Sequence, residues 1–517
     1  MTDDWTPEVE ELRRRQALAR RMGGPEKLAR QAAAGRFNLR ERIDILLDPG
    51  SFDEIGGLAG RAAYDVDGAL TDFLPANLVF GRGRVDGRPV AVAGDDFTVR
   101  GGAADASIWA KNVQAETMAH QLRLPLIRLI EGTGGGGSVR TIETTGHTYV
   151  PANPGWEHVV ENLETVPVVA LGLGPVAGLG AARMAASHFS VLVEGLSQMF
   201  VAGPPVVKRI GQDLDKETLG GARIHARNGA VDAVAESETH AFELARRFLS
   251  YLPSSVDELA ERAPCDDPAD RAEDRLIRAI PKDRRQVYEI RPILEDVFDC
   301  GSVFEIGAAW GRSLVTGLAR LDGWPVAVFA SDPHHYGGAI TADAARKLER
   351  HADLAQTFHL PVVFLADIPG FLVGLQAEKS GVIRHGVRAL SAVYQANVPW
   401  ASVILRKTFG VAGGANIDHS GYRWRYAWPS GDWGSLPLEG GVEAAWKADL
   451  EAAEDPEAMR AEIEARLDRL RSPFRSAEAF SIEDVIDPRE TRVRLCAFAN
   501  AAARLRRPGR SRHGLRP

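Results

Sequence analysis

Two glycine-rich stretches have the residue types and the order needed to stabilise a developing negative charge. They are Gly174-Pro175-Val176-Ala177-Gly178-Leu179-Gly180-Ala181-Ala182 and Lys407-Thr408-Phe409-Gly410-Val411-Ala412-Gly413-Gly414-Ala415. Each follows a short apolar run that predicts a buried strand, Val166 to Ala170 in one case and Val398 to Ile404 in the other. A strand that passes through a tight Gly/Ala turn into a helix leaves successive backbone N–H groups free at the helix start, where the dipole also favours negative charge. Such a turn is a ready-made oxyanion hole. Small residues also let a helix and a strand pack closely, so one loop alone carries both readings; two loops at matching positions of a repeat favour the chemical one.

Side-chain catalysts are harder to find. The chain has no HExxH, GxSxG or Cys/His nucleophile pattern, and the adjacent His334 and His335 would face opposite sides of a strand, so no metal is expected. Cys265, Cys300 and Cys496 lie too far apart for a CxxC site and are too few for a disulfide framework, which fits a reducing cytoplasm. The run Gly134-Gly135-Gly136-Gly137 continues into Ser138-Val139-Arg140 and lacks the Gly-Lys-Ser/Thr of a phosphate loop. Its glycines read equally as a flexible turn or as a ligand contact. Two oxyanion holes without a general base suggest chemistry on carbonyls in which the base arrives with the substrate or a cofactor.

The elements that carry these loops occur twice. Gly87-Arg88-Pro89-Val90-Ala91-Val92, Gly101-Gly102-Ala103 and Leu124-Pro125-Leu126-Ile127 recur 236 positions later as Gly323-Trp324-Pro325-Val326-Ala327-Val328, Gly337-Gly338-Ala339 and Leu360-Pro361-Val362-Val363. Glu131 and Asp367 keep that spacing, whereas Pro167 and Pro399 are 232 apart, which a net loss of four residues in the intervening loop explains. Each copy reads as a strand (Val90 to Ala93; Val326 to Ala330), a helix (Asp105 to Leu122; Thr341 to Phe358) and a second strand (Leu126 to Ile130; Val362 to Ala366). Buried strands alternating with helices predict an α/β fold with a parallel sheet covered by helices.

At 517 residues the chain exceeds the roughly 250 to 300 at which single cores stop growing, so two domains are expected: 1–265 and 280–517, joined through the charged, proline-punctuated stretch Pro253 to Arg285. Residues Pro7 to Leu47 precede the repeat and read as charged helices, the last opened at Asn38 and ended by Asp48-Pro49-Gly50. A net charge of −8 argues against a nucleic-acid partner, and the basic tail from Arg504 to Arg516 reads as a solvated, frayed end. The acidic N-terminus is no signal peptide, and no stretch of eighteen apolar residues would enter a membrane, so a soluble cytoplasmic protein is expected.

With these features in place, the chain resembles the carboxyltransferase (β) subunits of biotin-dependent acyl-CoA carboxylases, the group that holds propionyl-CoA and methylcrotonyl-CoA carboxylases. The resemblance rests on Arg40-Glu41-Arg42 through Asp48-Pro49-Gly50-Ser51-Phe52, Asp96-Phe97-Thr98-Val99, Leu219-Gly220-Gly221-Ala222-Arg223 and Asp367-Ile368-Pro369-Gly370-Phe371. It extends to Gly381-Val382-Ile383-Arg384-His385-Gly386, Arg406-Lys407 and Ala427-Trp428-Pro429. It implies two tandem crotonase-like domains, each a β-sheet superhelix covered by helices. It also implies a hexamer, a trimer of dimers, with acyl-CoA on the N-terminal domain and biotin on a partner's C-terminal domain. Carried over to this chain, Gly178, Leu179 and Gly180 would hold a thioester enolate oxygen, and Gly410, Val411 and Ala412 the biotin ureido oxygen. Gly134, Gly135, Gly136 and Gly414 would lie along the substrate, and Lys111, which follows the first Gly-Gly turn, is either a CoA contact or a plain surface lysine.

The chain departs from the family pattern where Glu131-Gly132-Thr133-Gly134-Gly135-Gly136-Gly137 replaces Asp-Ser-Gly-Gly-Ala-Arg and where Leu179 and Val411 interrupt Gly-Gly pairs. Gly414 stands where relatives often carry a larger or acidic residue, leaving room for a bulkier or polar acyl group. Neither an Ala-Met-Lys-Met biotinyl motif nor an ATP-grasp glycine loop is present, so biotin belongs to a partner, a biotin carboxylase or biotin carboxyl carrier subunit. Two other readings are the carboxyltransferase subunit of a biotin-dependent decarboxylase and a non-catalytic scaffold subunit.

Overall fold

The computed structural model describes residues 4–103, 108–132, 138–148, 150, 152–414, 422–513 and 515. The chain divides into two compact units, the first ending at Glu258 and the second starting at Leu259.

The first unit is built on one sheet: β1 (Asp53–Ile55), β4 (Leu78–Val85), β5 (Arg88–Asp95), β6 (Leu126–Gly132), β7 (Val168–Ala177), β8 (Phe189–Val193) and β10 (Ala233–Ala235) in that order, with β9 (Gln198–Phe200) also paired to β7. A separate hairpin, β2 (Gly60–Tyr64) and β3 (Leu70–Pro75), is inserted after β1. The second unit repeats this order as β11 (Phe304–Ile306), β12 (Leu314–Leu321), β13 (Trp324–Ser331), β14 (Val362–Ile368), β15 (Trp400–Phe409), β16 (Trp424–Ala427) and β18 (Asp484–Val485), with β17 (Asp432–Gly434) on β15. Ala91 faces Leu126 and Ala327 faces Val362, while Leu126 faces Val168 and Val362 faces Trp400. The change of offset from 236 to 232 therefore falls between the two central strands of each sheet.

The central strands are apolar throughout because helices cover them. Val90, Leu126, Ile127 and Val168 to Leu171 are buried completely in the first unit, as are Val326, Val362 to Ala366 and Val403 in the second. The covering helices are Trp109–Leu122 and Ala342–Thr357, the latter capped by the Thr341 hydroxyl, which accepts the Ala344 N–H at 3.0 Å. The N-terminal segment forms three helices, Thr6–Arg20, Pro25–Ala33 and Leu39–Leu46, the last opened by a reciprocal Asn38/Glu41 capping box.

Three expectations need correction. Each sheet is mixed, since β1/β4 and β4/β5 pair antiparallel, as do β11/β12 and β12/β13. The strands before the glycine loops run on to Ala177 and Phe409, past Ala170 and Ile404, because the three-residue strands β9 and β17 pair with their far ends. The basic tail is docked: Arg506 is buried with its guanidinium 5.1 Å over the Trp324 ring, Leu515 is buried, and the Gln356 amide donates to His513 O. No helix among the described residues is long and apolar enough to cross a membrane.

Candidate active site

Both glycine loops begin where the longest strand of their unit ends. β7 stops at Ala177 and Gly178, with φ of 60° and ψ of −121°, turns the chain into the helix Leu179–Ala185. β15 stops at Phe409 and Gly410, with φ of 63°, turns it into the single helical turn Gly410–Gly413. This left-handed backbone costs an L-residue roughly 1–2 kcal/mol, so glycine is required at both places.

The donors differ from the simplest expectation. The Gly178 N–H donates to Phe200 O at 3.2 Å, and Ala182 N–H returns to Gly178 O at 3.1 Å. Gly178 therefore shapes the turn, while the N–H groups of Leu179, Gly180 and Ala181 have no acceptor among the described residues. In the second loop Val411 and Ala412 occupy the first helical turn, whose N–H groups have no acceptor within the helix. Gly180 lies tight against Val176 and Ile130, at 3.2 and 3.4 Å from an added Cβ, and Gly413 would meet Thr408 at 2.9 Å. A Cβ on Gly414 meets nothing within 4 Å among the described residues.

A buried carboxylate sits under each loop, Glu131 in the first unit and Asp367 in the second, at the matching repeat positions. Asp367, at the end of β14, accepts from the Lys407 N–H at 3.0 Å, from Arg406 at 3.0 Å and from the Tyr288 hydroxyl at 3.1 Å, and its own N–H donates to Ser331 Oγ. The Arg406 guanidinium also stacks 5.0 Å over the Tyr288 ring. Burial, reinforced by Asp367, pushes the Tyr288 hydroxyl well above the usual phenol range.

Glu131 is the counterpart at the end of β6, but its arginines come from elsewhere. Arg42 binds it at 2.6 Å while holding Glu238 at 2.6 Å and Leu173 O at 2.9 Å, and Arg36 adds a contact at 3.1 Å. Burial pushes the Glu131 carboxyl upward against the pull of Arg42 and Arg36. At the position of Arg406 the first unit has Gly174, where a Cβ would stand 2.2 Å from Glu131 Oε1. One repeat thus neutralises its carboxylate from the neighbouring strand, and the other from the N-terminal segment that precedes the sheet. The register of β6/β7 and of β14/β15 shifts beside these acids, at Ile130/Gly132 and Ala366/Ile368. The signal in the sequence was the pair of acids at identical repeat positions directly after an apolar strand.

Lys111 is no surface lysine. It is 8% exposed, its ammonium lies 6.0 Å from the Phe80 ring centre, and it has no hydrogen-bond partner among the described residues. Burial pushes it down to about 8, opposed by Glu54. At the equivalent place Lys347 donates to Trp310 O at 3.0 Å and Leu314 O at 2.7 Å. No described contact joins Lys111 to the Gly178 loop. Gly134, Gly135 and Gly136 lie outside the described residues. His334 lies 3.0 Å from the Glu289 carboxylate, and among the described residues no group of three His, Cys, Asp or Glu could hold a metal.

A mixed sheet repeated twice, each copy ending its longest strand on a left-handed glycine above a fresh helical turn, defines a two-domain crotonase-like fold. The carboxyl transferase domain family matches residues 30–515. The chain is 32% identical over 496 residues to the propionyl-CoA carboxylase carboxyltransferase subunit of Haloferax mediterranei, covering 95% of each chain. It is 33% identical over 520 residues to the methylmalonyl-CoA carboxyltransferase 12S subunit of Propionibacterium freudenreichii, covering 98% of this chain and 96% of that one. The crystal structure of the hexameric transcarboxylase 12S with methylmalonyl-CoA and methylmalonic acid bound superposes with a TM-score of 0.88 at 30% identity, covering 99% and 98% of the two chains. A single-chain long-chain acyl-CoA carboxylase gives a TM-score of 0.80 at 29% identity, with 95% of this chain and 48% of that one covered. The chain belongs to the carboxyl transferase family, as a carboxyltransferase subunit of the biotin-dependent acyl-CoA carboxylase and transcarboxylase group.

Proposed function

We propose that this subunit moves a carboxyl group from carboxylated biotin, borne by a partner chain, to the α-carbon of an acyl-CoA, with one glycine loop serving each of the two oxygens that gain charge. The observation that carries this reading is the pair of left-handed glycines, Gly178 and Gly410, each followed by a first helical turn with unclaimed N–H groups. Leu179 and Gly180 hold the thioester enolate oxygen through their N–H groups, and Val411 and Ala412 the ureido oxygen through theirs. Carboxylated biotin supplies the carboxyl group and, once that has left, a ureido nitrogen that takes the α-proton. That supply accounts for the absence of a general base among the loop residues. The chain assembles as a hexamer in this reading, like the 12S transcarboxylase.

The acyl chain passes Gly414, where an added Cβ meets no described residue within 4 Å. A Gly414→Asp variant should lose turnover of bulky acyl-CoAs and keep or gain turnover of short ones; an unchanged ratio would remove Gly414 from the acyl site. The reaction itself is tested by incubating the chain with a biotin carboxylase and carrier partner, ATP, labelled bicarbonate and a panel of acyl-CoAs. Label in an acyl-CoA supports the reading, and no transfer to any thioester overturns it in favour of a scaffold role.

A further inference from the structure

The segment that follows the last helix of each unit closes the lower end of its sheet, remote from the glycine loop, in a different way. In the first unit the helix Glu238–Ser250 leads into a segment whose Val256 N–H donates to Thr165 O at 2.9 Å and whose Asp257 pairs with Arg123 at 2.8 Å. The seam is closed, and its arginine is neutralised. In the second unit the positions equivalent to His120, Arg123 and Thr165 are Gln356, His359 and Asn397. Over them the helix Thr491–Ala503 leads into a tail that supplies Arg506, Arg507, Arg510 and Arg512 and no acid. A cavity of about 270 Å³ remains between tail and sheet.

No described residue compensates the charge in this cavity. None of the four arginines makes an ion pair among the described residues, and no carboxylate lines the walls. Arg506 is 6% exposed; its Nη1 donates to Ala260 O at 3.0 Å, and its Nε is buried without a partner. Gln356 Oε1 is likewise buried and unpartnered, a place for an acid proton or hydroxyl of a ligand. A buried guanidinium without a counter-charge is costly, and guanidinium forks match the geometry of tetrahedral oxyanions.

We propose that this cavity binds a phosphate group, which supplies the negative charge that the arginine-bearing tail lacks. Its volume lies below the roughly 300–1,000 Å³ of pockets that engulf drug-sized ligands, so it encloses a phosphate group and not a whole nucleotide. It lies near the start of β15, and Gly410 follows the far end of that ten-residue strand, roughly 30 Å away at about 3.3 Å per residue. The site is therefore separate from the transfer chemistry.

The test uses the full chain at low ionic strength, by calorimetric titration and thermal unfolding with inorganic phosphate, with AMP as a phosphate monoester, and with acetate as a carboxylate control. Saturable phosphate binding and a phosphate-dependent rise in Tm are expected, both weaker with acetate. The exposed pair Arg510→Ala/Arg512→Ala should weaken phosphate binding about tenfold or more, each lost charge-assisted hydrogen bond being large enough for that. Its phosphate-free Tm and carboxyl transfer should not change. Binding of phosphate alone identifies a free-ion site, and equal binding of AMP a site for a phosphate presented by a larger molecule. Absence of saturable phosphate binding, equal binding of acetate, or unweakened binding by the double variant overturns the proposal.

Discussion

Gly178 and Leu179 separate two things a glycine loop could contribute, conformation and side-chain absence. The backbone at Gly178 is left-handed and its N–H is already held by Phe200, so its value lies in aiming the next two N–H groups. A methyl group there costs about 1 kcal/mol of strain and tilts the turn. Losing an oxyanion donor costs on the order of a hundredfold in rate. Gly178→Ala should therefore reduce kcat by about that factor with little change in Tm or in KM for the acyl-CoA. Leu179→Gly, which keeps the same N–H, should stay within a few-fold of the parent. If Leu179→Gly were the slower of the two, the side chain and not the backbone would be the working part. Asp367 makes a different demand, because it holds Arg406, Tyr288 and the Lys407 N–H in a buried site. Asp367→Asn keeps the shape but strands the guanidinium, which costs on the order of 3–5 kcal/mol. Urea unfolding should show that loss, and restoration of most of it by Asp367→Asn/Arg406→Leu would attribute it to the uncompensated charge.

At the scale of elements, the central strands were legible because burial on both faces makes them continuous apolar runs, and the covering helix Ala342–Thr357 was legible as the stretch between two such runs. What stayed hidden depends on contacts distant in sequence. β9 and β17 are three residues long and carry no periodicity, yet they lengthen β7 and β15 up to the glycine turns. The arginines on Glu131, Arg42 in the helix Leu39–Leu46 and Arg36 just before it, lie some ninety residues earlier in the chain. Lys111 stays open in the sequence between a CoA contact and a surface lysine because nothing local reveals that its side chain lies against Phe80 and Gly56. Its burial makes a prediction about pH. The folded chain releases this proton near 8 and the unfolded chain near 10.5, so between those values the unfolded state holds more protons and stability rises with pH. The gain is on the order of 3 kcal/mol across the window and absent below it. Urea midpoints measured through that range should climb in the parent relative to Lys111→Met, in which this contribution is gone; parallel curves would show that the folded-state proton is held as tightly as in the unfolded chain.

Over the whole molecule, duplication gave each sheet the same topology and the same left-handed glycine, and then let the surroundings diverge: Gly174 against Arg406, an unpartnered Lys111 against a bonded Lys347, a closed seam against a cationic cavity. The repeat was readable from spacing alone, whereas the divergences were not, since each is a change of partner and leaves the pattern of apolar residues intact. The shared feature bears on how many reactions the chain performs. If each loop ran its own chemistry, disabling one would leave about half of the activity and disabling both would leave none. If both loops stabilise one transition state, each single variant is nearly inactive and their free-energy costs add, provided that the two sites do not touch. Gly178→Ala and Gly410→Ala should each lower carboxyl transfer by about a hundredfold, and the double variant by about ten-thousandfold. A partial reaction that leaves out the carboxyl group, exchange of the acyl-CoA α-proton with solvent deuterium in the presence of uncarboxylated biotin, adds a readout for each loop. It should fall in Gly178→Ala in proportion to overall transfer, and the Gly410→Ala effect should appear only where biotin takes part. Half-activity in either single variant would instead assign the two loops to separate reactions.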